Sequence, residues 1–140
     1  MARTIFVNLP VADLQQSIAF YKAVGAEQNR QFSDDTAAMM SFSPEIGVML
    51  LTRARFNSFT SNKIAERGTS EALFALSCES REAVDDIMEK ALAAGSCEPS
   101  PVDEHGWMYG RSFEDPDGHQ WGPFWMDLDA ATRAMAAQAA

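Results

Sequence analysis

One pattern occurs twice in this chain, and the repeat limits the possible folds more than any other feature of the sequence. Each copy reads as a β-like run, a residue that can cap a helix, an amphipathic stretch and a glycine. The first copy runs from Thr4 to Gly25 and the second from Ala72 to Gly95. A turn that contains proline follows each copy. The repeat predicts two similar modules, with the functional site between them.

The composition excludes several classes of partner. With 140 residues, 46% of them hydrophobic, the chain can bury one sizeable core. A formal charge of -9 and scattered Lys and Arg residues argue against binding to nucleic acid or to an anionic membrane. We therefore expect a small-molecule ligand, no nucleic-acid partner and no membrane partner.

The cysteine content and the hydropathy pattern indicate a compartment. Cys78 and Cys97 suit free thiols in a reducing environment better than a disulfide framework. No leader-like segment follows Met1, and no apolar stretch approaches the length that spans a bilayer. We expect a cytoplasmic protein. Because two such small modules leave apolar surface uncovered, we also expect a homodimer.

In the first module the sequence predicts a strand, a helix and a hairpin. The strand covers residues 4–9 and ends at Pro10, which cannot donate to a ladder. An amphipathic helix follows. Residues 36–42 and 47–52 flank a turn and form the hairpin. The stretch 53–69 has no clear period and is interpreted as a linker or flap.

The second module repeats this order. Residues 73–78 predict a strand, Ser80 can cap a helix, and residues 109–114 and 119–126 form a hairpin around an Asp-Pro-Asp-Gly turn. The predicted fold class is α+β, with two βαβββ modules that form curved mixed sheets around a cavity. The predicted organisation is one domain over 1–140, with modules over about 1–53 and 70–127, a linker over 54–69 and a helical tail over 128–140.

Two segments carry a resemblance to a known family. NLPVADLQQSIAFYKAVG and FEDPDGHQW resemble the opening and closing signatures of the vicinal oxygen chelate superfamily. This superfamily holds glyoxalase I, extradiol dioxygenases, fosfomycin-resistance enzymes and bleomycin-resistance proteins. Its metal-using members take their ligands from the first and last strands of each module. Carried over to this chain, the ligand positions fall on Phe6, Leu50, Leu73 and Gly122.

None of these four residues has an imidazole, thiolate or oxygen donor in its side chain, which divalent ions require. We therefore expect no metal at the usual family position and no other cofactor. The alternation of side chains along each strand and an assumed hairpin register indicate which other residues face the ligand site. Arg111 would lie opposite Gly122, and Met40 opposite Leu50. The expected ligand-binding residues are Phe6, Asn8, Met40, Leu50, Leu73, Tyr109, Arg111 and Phe124.

Arg111 is the charged residue expected to anchor a ligand. Its guanidinium can hold a carboxylate, phosphate or enolate through two hydrogen bonds. The alternative is an ordinary ion pair at a sheet edge, with Glu114, Glu104 or Asp103 as partner. Tyr109 can either bind the ligand through its hydroxyl or simply pack.

The chain contains two histidines. Because side chains alternate along a strand, His119 is expected to face the helix side, which favours a structural role. His105 lies on a predicted loop that could close over the pocket, and it is the candidate general base. Arg111 and His105 are thus the two candidate catalytic residues.

Two functions remain open at this point. In the first, the chain is a metal-free module that resembles the bleomycin-resistance proteins and binds an aromatic or anionic small molecule. In the second, it is a glyoxalase-like lyase or a dioxygenase-like enzyme whose metal is held elsewhere, or which runs acid-base chemistry from His105 and Arg111. The four positions without donors favour the first, although one fold supports many chemistries.

Overall fold

The computed structural model describes residues 2–139, and the chain divides into two compact units. The first comprises the chain up to Glu71 together with Asp115–His119. The second comprises Ala72–Glu114 and the chain from Gln120 onward. The segment Asp115–His119 therefore belongs to the first unit although its flanking strands belong to the second. No pattern in the sequence indicates this.

The first unit is a four-stranded mixed sheet with a helix packed against it. The sheet order is β1-β4-β3-β2, with β1 parallel to β4 and the other pairs antiparallel. Helix α1 packs against β3 and β4. The elements are β1 (Ile5–Val11), α1 (Leu14–Ala23), β2 (Glu27–Asn29), a 3-10 helix (Arg30–Phe32), β3 (Ala37–Ser43), β4 (Ile46–Thr52) and α2 (Arg53–Asn57).

The predicted caps set the limits of α1. The Asp13 carboxylate accepts a hydrogen bond of 3.0 Å from the Gln16 backbone N–H, which satisfies one unpaired donor of the first turn. Gly25 follows the helix with a φ of 107°, a conformation that favours glycine. Because α1 lies against one face of the sheet, Met40 and Val48 on that face are completely buried.

The predicted end of β1 was wrong. The strand continues through Pro10 to Val11, and Pro10 pairs with Leu51. Because β1 lies at the sheet edge, the missing proline N–H breaks no ladder when it faces outward. Helix α2 also lies where the sequence predicted a linker or flap, over Arg53–Asn57.

The register of the first hairpin also differs from the prediction. Met40 pairs with Val48, and Leu50 pairs with Ala38, so Met40 and Leu50 are not opposite each other. A β-bulge between Ser41 and Ser43 shifts the ladder. The turn sequence alone gives no sign of this extra residue.

The second unit repeats the first in topology. Its sheet order is β5-β9-β7-β6, with β8 also paired to β9, and β5 runs parallel to β9. Helix α3 packs against β7, β8 and β9. The elements are β5 (Phe74–Ser77), α3 (Arg81–Ala93), β6 (Asp103–His105), β7 (Met108–Gly110), β8 (Phe113–Glu114), β9 (Gln120–Met126) and α4 (Leu128–Ala139). The α+β class with two curved mixed sheets is thus confirmed.

The second hairpin is one residue out of the predicted register. Gly110 pairs with Phe124 and Glu114 with Gln120, whereas the prediction placed Arg111 opposite Gly122 and Tyr109 opposite Phe124. The cause is the turn. The Asp115 backbone N–H donates to the His119 carbonyl at 2.9 Å, which leaves a three-residue loop with Gly118 at a φ of 91°.

The turn itself is held by a buried carboxylate. Asp115 is 2% exposed, and its Oδ2 accepts a hydrogen bond of 2.7 Å from the Tyr21 hydroxyl. Its Oδ1 accepts from the backbone N–H groups of Asp117 and His119, both at 2.9 Å. Burial raises the pKa of Asp115, and these donors offset part of the cost. The Nε2 of His119 lies 2.9 Å from the Pro10 carbonyl, which fits the predicted structural role of His119.

None of the helices within residues 2–139 combines the length and the apolar character needed to cross a membrane.

The two tyrosines of the chain provide a matched test of this turn. Tyr21→Phe leaves a buried carboxylate oxygen without its donor, and we expect it to lower the free energy of unfolding by about 1–3 kcal/mol. Tyr109→Phe removes a hydrogen bond of 2.6 Å to Asp85, whose side chain is 54% exposed. Water replaces that donor, so we expect a loss below about 1 kcal/mol. Urea unfolding of both variants checks this, and equal losses would contradict it.

Candidate functional site

The sheet of the second unit has an open face, on the side opposite α3. The register places Ala75 beside Gly122 and Ser77 beside Phe124, and Gly110 lies opposite Phe124. Because side chains alternate along a strand, these residues share one face. A hollow of about 520 Å³ lies on this face, and we call it the Gly122 hollow. Its volume falls within the range of small-molecule sites.

The walls of the Gly122 hollow are mostly apolar. Its neutral polar groups are Ser100, Ser112 and Gln120, and the charged residues Asp103 and Arg111 also line it. Ser112 is 6% exposed, and its hydroxyl accepts a hydrogen bond of 3.1 Å from the Ser100 backbone N–H. The Gln120 amide donates to the Ser100 hydroxyl oxygen, also at 3.1 Å. The apolar lining residues include Leu73, Ala75, Val102, Met108, Gly122 and Phe124.

Gly122 sets the depth of the hollow. A Cβ atom built at this position would lie 3.5 Å from the Arg111 carbonyl oxygen and 3.8 Å from the Phe74 carbonyl oxygen, which are ordinary contacts. A side chain would therefore fit the backbone here and extend into the hollow. The space exists because residue 122 has no side chain.

Arg111 borders the hollow, but its guanidinium is bound to carboxylates of the protein. Its Nε and Nη2 donate to the two carboxylate oxygens of Glu98 at 2.9 and 2.8 Å, and its Nη1 donates to Asp85 at 3.0 Å. Its side chain is 19% exposed. Arg111 thus forms ion pairs, as the alternative interpretation expected, but with Glu98 and Asp85 as its partners. Arg111 therefore loses the support for its predicted role as ligand anchor.

Tyr109 belongs to the same network on the helix side of the sheet. Its hydroxyl donates to Asp85, which raises the pKa of Tyr109 and lowers that of Asp85. The hydrogen bonds from Arg111 lower the pKa of Glu98. The one-residue change in register explains why Tyr109 and Arg111 lie on this side, because it exchanges the two faces of the strand.

His105 does not lie on a loop as predicted. It ends β6, its Nε2 lies 2.9 Å from the Asp103 carboxylate, and its ring stacks on Trp107 with 5.4 Å between centroids. Asp103 lines the Gly122 hollow, whereas His105 is not among its lining residues. The role of His105 as a general base stays a prediction that this geometry does not favour.

The remaining predicted site residues separate into two groups. Leu73 and Phe124 line the Gly122 hollow. Phe6 and Asn8 lie on one face of the first unit's sheet and line other hollows. Met40 and Leu50 are completely buried on the opposite face, against α1, so they cannot contact a ligand beside Phe6. The residues that share a face within one strand were predicted correctly. The prediction that Leu50 of β4 shares a face with Phe6 of β1 was wrong, because Phe6 pairs with Gly47.

The match to a known family covers most of the chain. The sequence profile of the glyoxalase/bleomycin resistance protein/dioxygenase superfamily matches residues 4–122. The chain belongs to this superfamily. The predicted resemblance to the vicinal oxygen chelate proteins is thereby confirmed. No curated protein sequence matches the chain significantly.

Solved structures of the glyoxalase superfamily share the fold. A hypothetical protein from S. aureus is 26% identical with a TM-score of 0.76, over 89% of this chain and 94% of that one. A glyoxalase/bleomycin resistance protein/dioxygenase family enzyme from Burkholderia phytofirmans PsJN is 17% identical with a TM-score of 0.74, over 90% and 100%. A genomically encoded fosfomycin resistance protein from Listeria monocytogenes is 20% identical with a TM-score of 0.69, over 92% and 97%.

The residues at the expected metal-ligand positions of the glyoxalase superfamily do not fit a divalent ion. Phe6, Leu73 and Gly122 offer no donor side chain, and Leu50 faces the core. The residues of β4 on the same face as Phe6 are Gly47, Met49 and Leu51, which carry no imidazole or carboxylate. Within residues 2–139, no group of three or more His, Cys, Asp or Glu side chains is arranged to hold a metal.

The ion pairs of Arg111 give a prediction about stability. We expect Arg111→Met to lower the free energy of unfolding at neutral pH by about 2 kcal/mol, because it leaves Glu98 without its charged donor. Since the folded-state pKa of Glu98 is lowered, this contribution is present above its ordinary pKa of 4.5 and is lost as the pH falls through the folded value. The difference between variant and parent should therefore shrink at acid pH.

Urea unfolding at several pH values measures this difference. Arg133→Met is a matched control, because it removes the same charge from a residue that forms no ion pair with any other residue between 2 and 139. A constant difference between parent and Arg111→Met across the acid range would show that the ion pairs do not stabilise the fold.

Proposed function

We propose that the chain is a small-molecule-binding protein that holds an uncharged aromatic compound in the Gly122 hollow. The observation that carries the proposal is the open space above Gly122, at a position where a side chain would meet only ordinary contacts. The surrounding residues then form a wide apolar wall with a few neutral hydrogen-bonding groups and the Asp103 carboxylate. Such a combination is typical of sites that bind drug-sized molecules.

The polar groups of the hollow favour an uncharged ligand over an anionic one. The guanidinium of Arg111 already has three hydrogen bonds to carboxylates. An anionic ligand would have to displace Glu98 and would leave its carboxylate half-buried and unpaired. Ser100 and Gln120 can instead exchange hydrogen bonds with a phenol, an amide or an ether.

The enzymatic alternative has less support from the geometry. A glyoxalase-like lyase or a dioxygenase-like reaction needs either a metal or an acid-base pair beside the bound ligand. His105 is not among the residues that line the Gly122 hollow, and Arg111 is paired with Glu98. One similar structure is described as a fosfomycin resistance protein, and binding an antibiotic without turnover would also suit an apolar hollow. A homodimer in the cytoplasm stays part of the proposal, on the arguments from size and composition.

Filling the hollow tests the proposal directly. We expect Gly122→Leu to weaken binding of 2-naphthol by about tenfold or more, because the new side chain occupies the ligand's space. Gly106→Leu is the matched control, since a Cβ at Gly106 would meet no atom within 4 Å. Naphthol fluorescence and backbone amide NMR shifts follow binding and folding together. Parent-like affinity in a folded Gly122→Leu variant would rule out this site.

Metal content is a separate expectation of the proposal. We expect the protein, purified without added metal, to contain less than a stoichiometric amount of Zn, Ni, Mn or Fe, and addition of these ions to leave 2-naphthol affinity unchanged. Elemental analysis and a repeated titration measure both. One equivalent of metal that is lost on mutation of residues around the Gly122 hollow would favour the enzymatic alternative.

A further inference from the structure

We propose that the first unit carries a second binding site, specific for aromatic compounds that bear both an ammonium and a carboxylate group. The site lies on the open face of the sheet β1-β4-β3-β2, opposite α1. It goes beyond the proposed function, because all of its residues belong to the first unit and none lines the Gly122 hollow.

The site is a hollow of about 500 Å³ with aromatic and thioether walls, which we call the Phe6 hollow. Phe6 and Phe32 are 46% and 59% exposed, although both are large and apolar. Met39 and Met49 complete the apolar lining. An aromatic ring placed here would remove exposed apolar surface from water and contact both rings and the sulfur atoms.

The ring of Phe6 lies close to a neighbouring glycine. Phe6 pairs with Gly47 across β1 and β4. A Cβ at Gly47 would lie 2.6 and 2.8 Å from two atoms of the Phe6 ring, which is closer than any real side chain allows. The ring therefore lies over the Gly47 backbone and forms a platform, a position that requires glycine beneath it.

Arg55 supplies the positive charge of the Phe6 hollow. It lies on α2, where its backbone N–H is capped by the Thr52 hydroxyl at 3.2 Å. Its guanidinium carbon lies 5.2 Å from the centroid of the Phe59 ring, which orients the group. Arg55 forms no ion pair of 4.0 Å or less with any residue in the described part of the chain. Its charge lies near enough to Asp34 to help lower the pKa of that carboxyl group. Arg55 is available to hold a carboxylate through two hydrogen bonds.

Asp34 supplies the negative charge. Its Oδ1 accepts hydrogen bonds from the Thr36 backbone N–H at 2.7 Å, the Thr36 hydroxyl at 2.8 Å and the Ala37 backbone N–H at 3.0 Å. The bonds from Thr36 lower the pKa of Asp34. No bond from the described residues reaches Oδ2, so this oxygen can accept from an ammonium group.

The two charges select the class of ligand. A carboxylate on an aromatic compound would be attracted by Arg55 and repelled by Asp34, and an ammonium group would meet the reverse. A compound with both groups satisfies both residues while its ring contacts Phe6. An aromatic amino acid has this chemistry.

Three probes and two pairs of variants test the proposal. Titration of the methyl-labelled protein with phenylalanine should shift the Met39 and Met49 signals at millimolar concentration. Phenylalanine should bind about tenfold more tightly than 3-phenylpropionate or 2-phenylethylamine, each of which lacks one charge. Arg55→Gln should reduce phenylalanine affinity to the level of 2-phenylethylamine, whereas Arg53→Gln on the same helix should not change it.

The Asp34 contribution is tested in the same way. Asp34→Asn keeps an oxygen that can accept the Thr36 bonds but removes the charge, so the fold is retained and phenylalanine affinity should fall about tenfold. Asp35→Asn is the matched control. An absence of shifts at Met39 and Met49 would overturn the proposal, as would tighter binding of 3-phenylpropionate than of phenylalanine. Gly122→Leu should leave phenylalanine affinity unchanged, so this test can fail independently of the proposed function.

Discussion

The pairing of β7 with β9 is the constraint on which the second unit depends. Side chains alternate between the faces of a strand, so a slip of one residue would exchange the two faces. With Gly110 opposite Phe124, the strand presents Gly110 and Phe124 to the open face and Tyr109 to α3. The register is set by the three-residue turn, and the turn is held by the buried Asp115 carboxylate.

This register turns the Arg111 guanidinium away from the apolar open face. Arg111 meets Glu98 and Asp85, and Tyr109 joins the same group of hydrogen bonds. The pair with the mostly buried Glu98 stabilises the fold, whereas the pair with the more exposed Asp85 contributes little. The open face then keeps neutral polar groups and the Asp103 carboxylate beside its apolar residues. The chemistry of the Gly122 hollow is therefore a consequence of strand alignment as much as of which residues are present.

Much of the fold could be predicted from the sequence because its signals are local. Asp13 and Ser80 cap helices, Gly25 and Gly95 follow them, and the repeat of these signals indicates two modules. The family resemblance rests on equally local motifs. Residues on one strand, such as Phe6 with Asn8, could also be assigned to one face.

The pairing between strands could not be predicted, because it depends on small details of the connections. The turn and the bulge at Ser41–Ser43 together moved the partner of Met40 from Leu50 to Val48. One extra residue in the second turn moved Arg111 to the other face. Glu98 lies in an irregular segment, so no periodicity marks it as the partner of Arg111. Arg55 was missed because the sequence predicted a linker where α2 lies. The N-cap at Thr52 was the local signal that could have indicated α2 and, with it, Arg55.

The most direct test of the account is to locate a bound aromatic molecule by NMR. Intermolecular nuclear Overhauser effects between 2-naphthol and protein methyl groups report which face of the second unit's sheet the ligand contacts. We expect effects to Leu73, Ala75 and Met108, which line the Gly122 hollow. Effects to Val84 and Met88 of α3 instead, which are completely buried on the other side of the sheet, would contradict the strand register and the site together.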